Sequence, residues 1–167
     1  MGKSNLVSLI TKKISEVKGT VIIFDYHNDY TTLNIPNVNV IDAKINPRLL
    51  EADQFSEVLE IRENADVQQR VLRMSFTQEV KEAGEFWNKL EYEVASLVNS
   101  EDKKLKEIRT SAYRVQDIIE DAQRRFDDIL DPEVGNPMDY IKEGYTNIIN
   151  ISELSEKQAN VAMGFYL

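Results

Sequence analysis

Val21-Ile22-Ile23-Phe24-Asp25-Tyr26-His27-Asn28-Asp29-Tyr30 is the stretch from which the fold of this chain is read. Its first half is a continuous apolar, β-branched run ending in a carboxylate, the pattern of a strand buried on both faces in a parallel sheet. Ligand-binding groups belong at the carboxyl end of such a strand, and Asp25, His27 and Asp29 crowd there. Upstream, Gly2-Lys3-Ser4-Asn5 leads into Leu6, Leu9, Ile10, Ile14 and Val17, spaced for one face of a helix that Gly19 should end. Gly-Lys-Ser is the tail of the phosphate-binding loop G-x-x-x-x-G-K-[ST]. In that loop backbone N–H groups cradle phosphates, the lysine reaches the outer ones and the hydroxyl holds Mg²⁺. The loop requires a helix directly after it and a parallel strand beside it, and both are expected here. The N-terminus of that helix would face an anion.

A chain of 167 residues suits one ordinary domain or a domain carrying an insertion. It has no cysteine, hence no disulfide framework, no thiolate nucleophile and no Cys-type zinc site. No run approaches the ~18 consecutive apolar residues of a membrane span, and the N-terminus has no apolar signal core, so the expectation is a soluble, cytoplasmic chain with no membrane partner. The net charge of −9 argues against nucleic-acid binding through a bulk basic field. Residues 1–50 hold six Lys/Arg and four Asp/Glu, so the acidity belongs to the later part. Any DNA contact is then expected from local loops or from residues outside this chain.

Val38 to Asp42 reads as a second short strand, and Asn46-Pro47 closes the unit. From Pro47 helical periodicity replaces the β-branched runs until about Leu130. Asn64 or Asp66 opens a helix through Val67, Val71 and Met74 to near Gly84, and Trp87, Leu90, Val94 and Leu97 mark another. The longest helix, Glu101 to Leu130, carries Leu105, Ile108, Ala112, Val115, Ile119, Ala122, Phe126 and Ile129 as a sustained heptad seam. Apolar faces lie close by in sequence, so the seam reads as the buried face of an internal bundle rather than a coiled coil with another chain. Tyr145 to Ile151 is a third β-rich run, and Ser155 with Gln158 forms a capping box for a last helix. The sole histidine, His27, lacks a Ser or Cys nucleophile partner and reads as loop-orienting. Phe86, Trp87 and Tyr92 read as bundle core rather than a base-stacking platform.

These pieces resemble the HerA-type ATPases of archaea, hexameric DNA helicase/translocases in the FtsK–HerA group of P-loop ATPases. Gly2-Lys3-Ser4-Asn5 with its helix matches the end of the family's phosphate loop, and Val21 to Tyr30 looks like the family's strand ending in Asp-Pro-His-Gly-Glu-Tyr. Asn46-Pro47 resembles the Asn-Pro leading into a helical insertion, and Thr146 to Leu154 resembles the strand and "Asp-Leu-Ser-x-Leu" that returns from it. Tyr26, Asn28 and Asp29 stand where the family has Pro, Gly and Glu.

The resemblance implies an α/β fold, part of a RecA-like P-loop ATPase sheet with an inserted all-α helical bundle. Residues 1–47 would be the N-terminal part of the core, 48–143 the insertion, and 144–167 the return strand and helix. It implies ATP and Mg²⁺ as cofactors, with Gly2, Lys3, Ser4 and Asn5 binding nucleotide, Ser4 on the metal, and Asp25 and Asp29 as the catalytic-site acids near the γ-phosphate. DNA, a nuclease of the NurA type and self-association into a ring hexamer are the implied partners. The first glycine of the phosphate loop and the later Asp-Glu pair of the family are not among these 167 residues. The expectation is thus a fragment of such a helicase/translocase, inactive by itself. The rival expectation is a non-catalytic interaction module acting through its helical bundle.

Overall fold

The computed structural model describes residues 2–30, 35–99 and 106–166, with the side chains of 2–4 and 106–107 excepted. In chain order the elements are α1 (Gly2–Glu16), β1 (Val21–Asp25), β2 (Val38–Asp42), α2 (Ala52–Val58), α3 (Asp66–Ser75), α4 (Gln78–Glu82), α5 (Phe86–Val98), α6 (Lys106–Arg125), β3 (Thr146–Asn150) and α7 (Glu156–Phe165). The fold is mixed α/β. It divides into two compact units, Met1–Lys44 with Gly135–Leu167 and, separately, Ile45–Val134.

The first unit is built on a parallel three-stranded sheet in the order β1-β3-β2. The strand that arrives last in sequence is therefore the central one. Side chains alternate between the faces of a strand, and Ile148 and Ile149 are both fully buried, so β3 is covered on both sides. The expectation of two-sided burial falls on the wrong strand: Val21 to Phe24 are only half-buried and Asp25 alone is buried. The reason is topological, since β1 has only β3 as a neighbour among the described residues.

Asn147, itself fully buried, joins the strands at their amino ends. Its Nδ2 donates to the carbonyls of Val21 (3.3 Å), Lys142 (3.0 Å) and Tyr145 (3.3 Å). Its Oδ1 accepts from Asn39 Nδ2 and from the Lys142 N–H, both at 2.8 Å. One amide thus ties β1, β2 and the 142–145 loop to β3, and both of its own polar atoms are satisfied.

Helix α1 ends one turn earlier than Gly19. Lys18 takes the left-handed conformation (φ 57°), while the N–H groups of Lys18 and Gly19 cap the carbonyls of Ser15 and Ile14. Glycine is needed at 19 for close approach, because a Cβ there would run into the Ile14 side chain. The apolar face read from the sequence is also largely uncovered: Leu6, Leu9, Ile10 and Val17 are 51–78% exposed, and α1 is held by a face that includes the buried Thr11. The Ser155–Gln158 capping box opens α7 as expected. Burial pushes the Tyr166 hydroxyl above its ordinary value, with Tyr140 adding to the effect, and the Tyr166 ring meets Phe24 edge-on at 6.3 Å.

In the second unit α6 packs against α5 and α3. The seam residues Ile108, Ala112, Val115, Ile119, Ala122 and Phe126 are buried. Residues 101–105 of the expected long helix lie outside the described part, and α6 stops at Arg125, beyond which Leu130 forms a parallel bridge with Ile45. The single helix expected from Asn64 or Asp66 to near Gly84 is two, α3 and α4, divided where Thr77 caps the second by accepting from the Val80 N–H. Val67 and Met74 are exposed; Val71, Leu72 and Ser75 form the buried stripe of α3. In α5 the buried stripe is Phe86, Leu90, Val94 and Val98. Phe55, Phe76, Phe86 and Trp87 form one aromatic nest with centroids 4.6–6.3 Å apart, while Tyr92 is 67% exposed.

Two stability predictions follow from the first unit. Asn147→Ala should destabilise it by about 3 kcal/mol, because several buried polar groups lose their partner at ~1–3 kcal/mol each; Asn147→Asp, which turns a carboxylate toward three carbonyls, should be worse. Denaturant unfolding followed by exchange of the β3 amides measures both. Tyr166 titrates near its ordinary ~10 in the unfolded chain and higher in the fold. Its contribution is therefore complete below that pH and lost as pH rises toward the folded value, and Tyr166→Phe should flatten the alkaline fall in stability.

Candidate functional site

The three strands end in Asp25, Asp42 and Asn150, and the register places these residues abreast. In an open parallel sheet, this carboxyl edge is where ligands bind. The signal was present in the sequence, since each apolar run closes on an Asp or Asn, but only the pairing shows that the three residues share one edge. Reading the sequence picked out Asp25 and missed Asp42, Asn150 and Ser152.

Asp25 is 1% exposed, and its carboxylate is turned back on its own chain. Oδ1 accepts the N–H of Asp29 at 3.0 Å, and Oδ2 accepts the N–H of Tyr30 at 2.8 Å. Its carbonyl also accepts the Ile151 N–H at 3.1 Å, so Asp25 joins two strand ends. The turn it closes needs a left-handed residue, which is Asn28 (φ 56°); asparagine tolerates that conformation better than most non-glycine residues. Hydrogen bonds to an ionised acceptor are roughly twice as strong as neutral ones, so the loop from Tyr26 to Tyr30 has a fixed shape.

That loop presents His27 and Asp29 to solvent. Tyr26, 46% exposed, meets the His27 ring edge-on at 5.3 Å. On the central strand, Asn150 Nδ2 donates to Asp42 Oδ1 at 3.2 Å, and Asn150 Oδ1 accepts from both the N–H and the hydroxyl of Ser152 (3.1 and 2.7 Å). The edge is thus acidic and pre-shaped, with Asp29 and Asp42 exposed and Asp25 committed to the backbone. Among the described residues no group of three or more His, Cys, Asp or Glu is placed to hold a metal ion.

Gly2, Lys3 and Ser4 form the first turn of α1, and Asn5 follows them, exposed. The side chains of Lys3 and Ser4, which carry the expected phosphate and metal contacts, lie outside the described residues. The first N–H groups of a helix have no partner within it. The first turn of α1 also carries no acidic residue, so nothing there opposes an anion.

A family model described as "Helicase HerA, central domain" matches residues 1–167. The chain is 38% identical to the DNA double-strand break repair helicase HerA of Sulfurisphaera tokodaii, and 33% identical to that of Sulfolobus acidocaldarius; each match covers 99% of this chain and 36% of the relative. The HerA of Saccharolobus solfataricus is 30% identical over 99% of this chain and 35% of its own length. The chain therefore spans about a third of the length of the curated relatives it matches. Among the described residues no helix is long and apolar enough to cross a membrane.

The latch gives a direct test. Asp25→Ala should speed amide exchange at Asp29 and Tyr30 by roughly tenfold or more, since a charge-assisted bond is worth about 1.5–3 kcal/mol. Asp25→Asn keeps one acceptor oxygen and should release one of the two amides far more than the other. Unchanged exchange at both would show that the loop is held by something else.

Proposed function

The chain belongs to the helicase HerA central-domain family, and from that premise we propose that it is part of the motor of an ATP-dependent DNA helicase/translocase. In this reading the sheet unit is a portion of a RecA-like P-loop ATPase core, and the helical unit is an insertion in it. The observation that carries the reading is the parallel sheet whose strands β1, β3 and β2 bring Asp25, Asn150 and Asp42 to one carboxyl edge, in a unit where Gly2-Lys3-Ser4 lies in the first described turn of α1. A phosphate would meet the free N–H groups and the positive end of the helix dipole. Lys3 would reach the outer phosphates and Ser4 would bind Mg²⁺, with Gly2 and Asn5 lining the turn. Bound ATP with Mg²⁺ supplies the phosphoryl group whose transfer to water drives movement, with the metal neutralising charge on the phosphate oxygens.

The two acids then differ in role. Asp29, exposed at the carboxyl edge, is the acid available near the γ-phosphate, and it is one methylene shorter than the Glu of the family pattern. Asp25 is a positioning residue that acts through the loop it latches. DNA contact is assigned away from the helical unit, because residues 45–134 hold 21 Asp/Glu against 13 Lys/Arg and such a surface repels phosphates. For the longer protein we propose a ring hexamer and a nuclease partner of the NurA type. Self-association has support in the exposed apolar face of α1 and in β1, whose outer edge pairs with no described strand.

A polypeptide of these 167 residues should bind a fluorescent ATP analogue with Mg²⁺, and Lys3→Ala should weaken that binding by at least about tenfold, or ~1.4 kcal/mol. Neither should hydrolyse ATP, because positioning and charge stabilisation need the rest of the phosphate loop and a metal-holding acid as well. Equal binding by both polypeptides would remove Lys3 from the site, and turnover abolished by Lys3→Ala would show that the short loop suffices. Light scattering should give a mass above the monomer that rises with concentration; a concentration-independent monomer would contradict the self-association.

A further inference from the structure

The two places where the chain enters and leaves the helical unit are fastened to each other inside that unit. The Ile45 N–H donates to the Ile129 carbonyl at 2.7 Å, and the Asp131 N–H donates to the Ile45 carbonyl at 3.1 Å, making the parallel bridge between Ile45 and Leu130. Asn46 Nδ2 donates to the Val134 carbonyl at 2.7 Å, while Asn46 Oδ1 caps the short turn at Pro47–Leu49 through the Arg48 N–H.

Arg48 completes the fastening. Its Nε donates to the Pro132 carbonyl, Nη1 to those of Lys81 and Ala83, and Nη2 to that of Gly84 and to Glu133 Oε1. A guanidinium has five N–H donors, and this one directs them at Pro132 and Glu133 and at residues 81–84 while its Cζ lies over the Phe86 ring, 5.4 Å from the centroid. Four of the five acceptors are backbone carbonyls. The Arg48 side chain is 17% exposed, whereas Glu133 is 76% exposed, so the ion pair is the weakest part of the arrangement.

We infer that residues 45–134 are a self-closed module clasped at its base by Arg48, which opens as one cooperative unit of its own. Its fold is fixed by contacts among its own residues. The inference holds whether or not the chain binds nucleotide.

The test uses the whole chain. Its single tryptophan, Trp87, lies in this unit, so Trp87 fluorescence reports the module while exchange of the β1 and β3 amides reports the sheet. A urea titration of the unaltered chain should give two separate transitions; one coincident transition would overturn the inference. Arg48→Ala should raise exchange across α4, α5 and the 129–134 segment by roughly 10- to 100-fold, since it leaves several carbonyls without their donor, and leave the β1 and β3 amides unchanged. Arg48→Lys, which keeps the charge but not the fork, should resemble Arg48→Ala, and Glu133→Gln should resemble the unaltered chain. Equal loss of protection in sheet and module, or full retention in Arg48→Lys, would refute the clasp.

Discussion

The sheet unit depends on one strand reaching its place between two others. β1 and β2 lie close in sequence but have no ladder with each other, and every sheet hydrogen bond they make runs to β3, which arrives more than a hundred residues later. Asn147 sets this arrangement at the amino end, and Asp25 closes it at the other by accepting the Ile151 N–H on its carbonyl. The entropy of closing so long a loop rises only slowly with length, by about 0.6 kcal/mol per doubling. Within the helical unit itself, Ile45 is bridged to Leu130 and Asn46 donates to the Val134 carbonyl.

The same topology builds the carboxyl edge. Strands ending in Asp25, Asn150 and Asp42 are aligned by register, and their polar side chains do different physical work. Asp25 is buried and holds a loop in shape through two backbone N–H groups; Asn150 joins the next strand to the Ser152 turn. What reaches solvent is Asp29, Asp42 and the crossed rings of Tyr26 and His27. Under the proposed function such a division would serve phosphoryl transfer, where catalysis is mostly positioning and charge placement. The groups that position must be buried and bonded, and the groups that act must be free to meet a ligand.

Arg48 shows how far a single residue's role can lie from its sequence signal. Within Asn46-Pro47-Arg48-Leu49 only the turn is legible, since Asn before Pro is a start signal for a short helical turn. That the guanidinium gathers four carbonyls from two distant segments, and lies over the Phe86 ring, follows from tertiary contacts alone.

By itself the sequence determined the local elements. Strand runs at Val21–Asp25 and Val38–Asp42, the capping box at Ser155 and Gln158, the seam along α6 and the glycine-lysine-serine start of α1 are all written in short-range patterns of apolar spacing and hydrogen-bonding side chains. These patterns also carry the family membership. Only the tertiary structure decided which strand is central, that Asp25 is a latch while Asp29 is exposed, that α1 leaves Leu6, Leu9, Ile10 and Val17 uncovered, and that Lys18 rather than Gly19 turns left-handed. The physical reason is range. Periodicity says which face of an element is apolar, but what covers that face, and which strand lies beside which, depends on partners that no local pattern names.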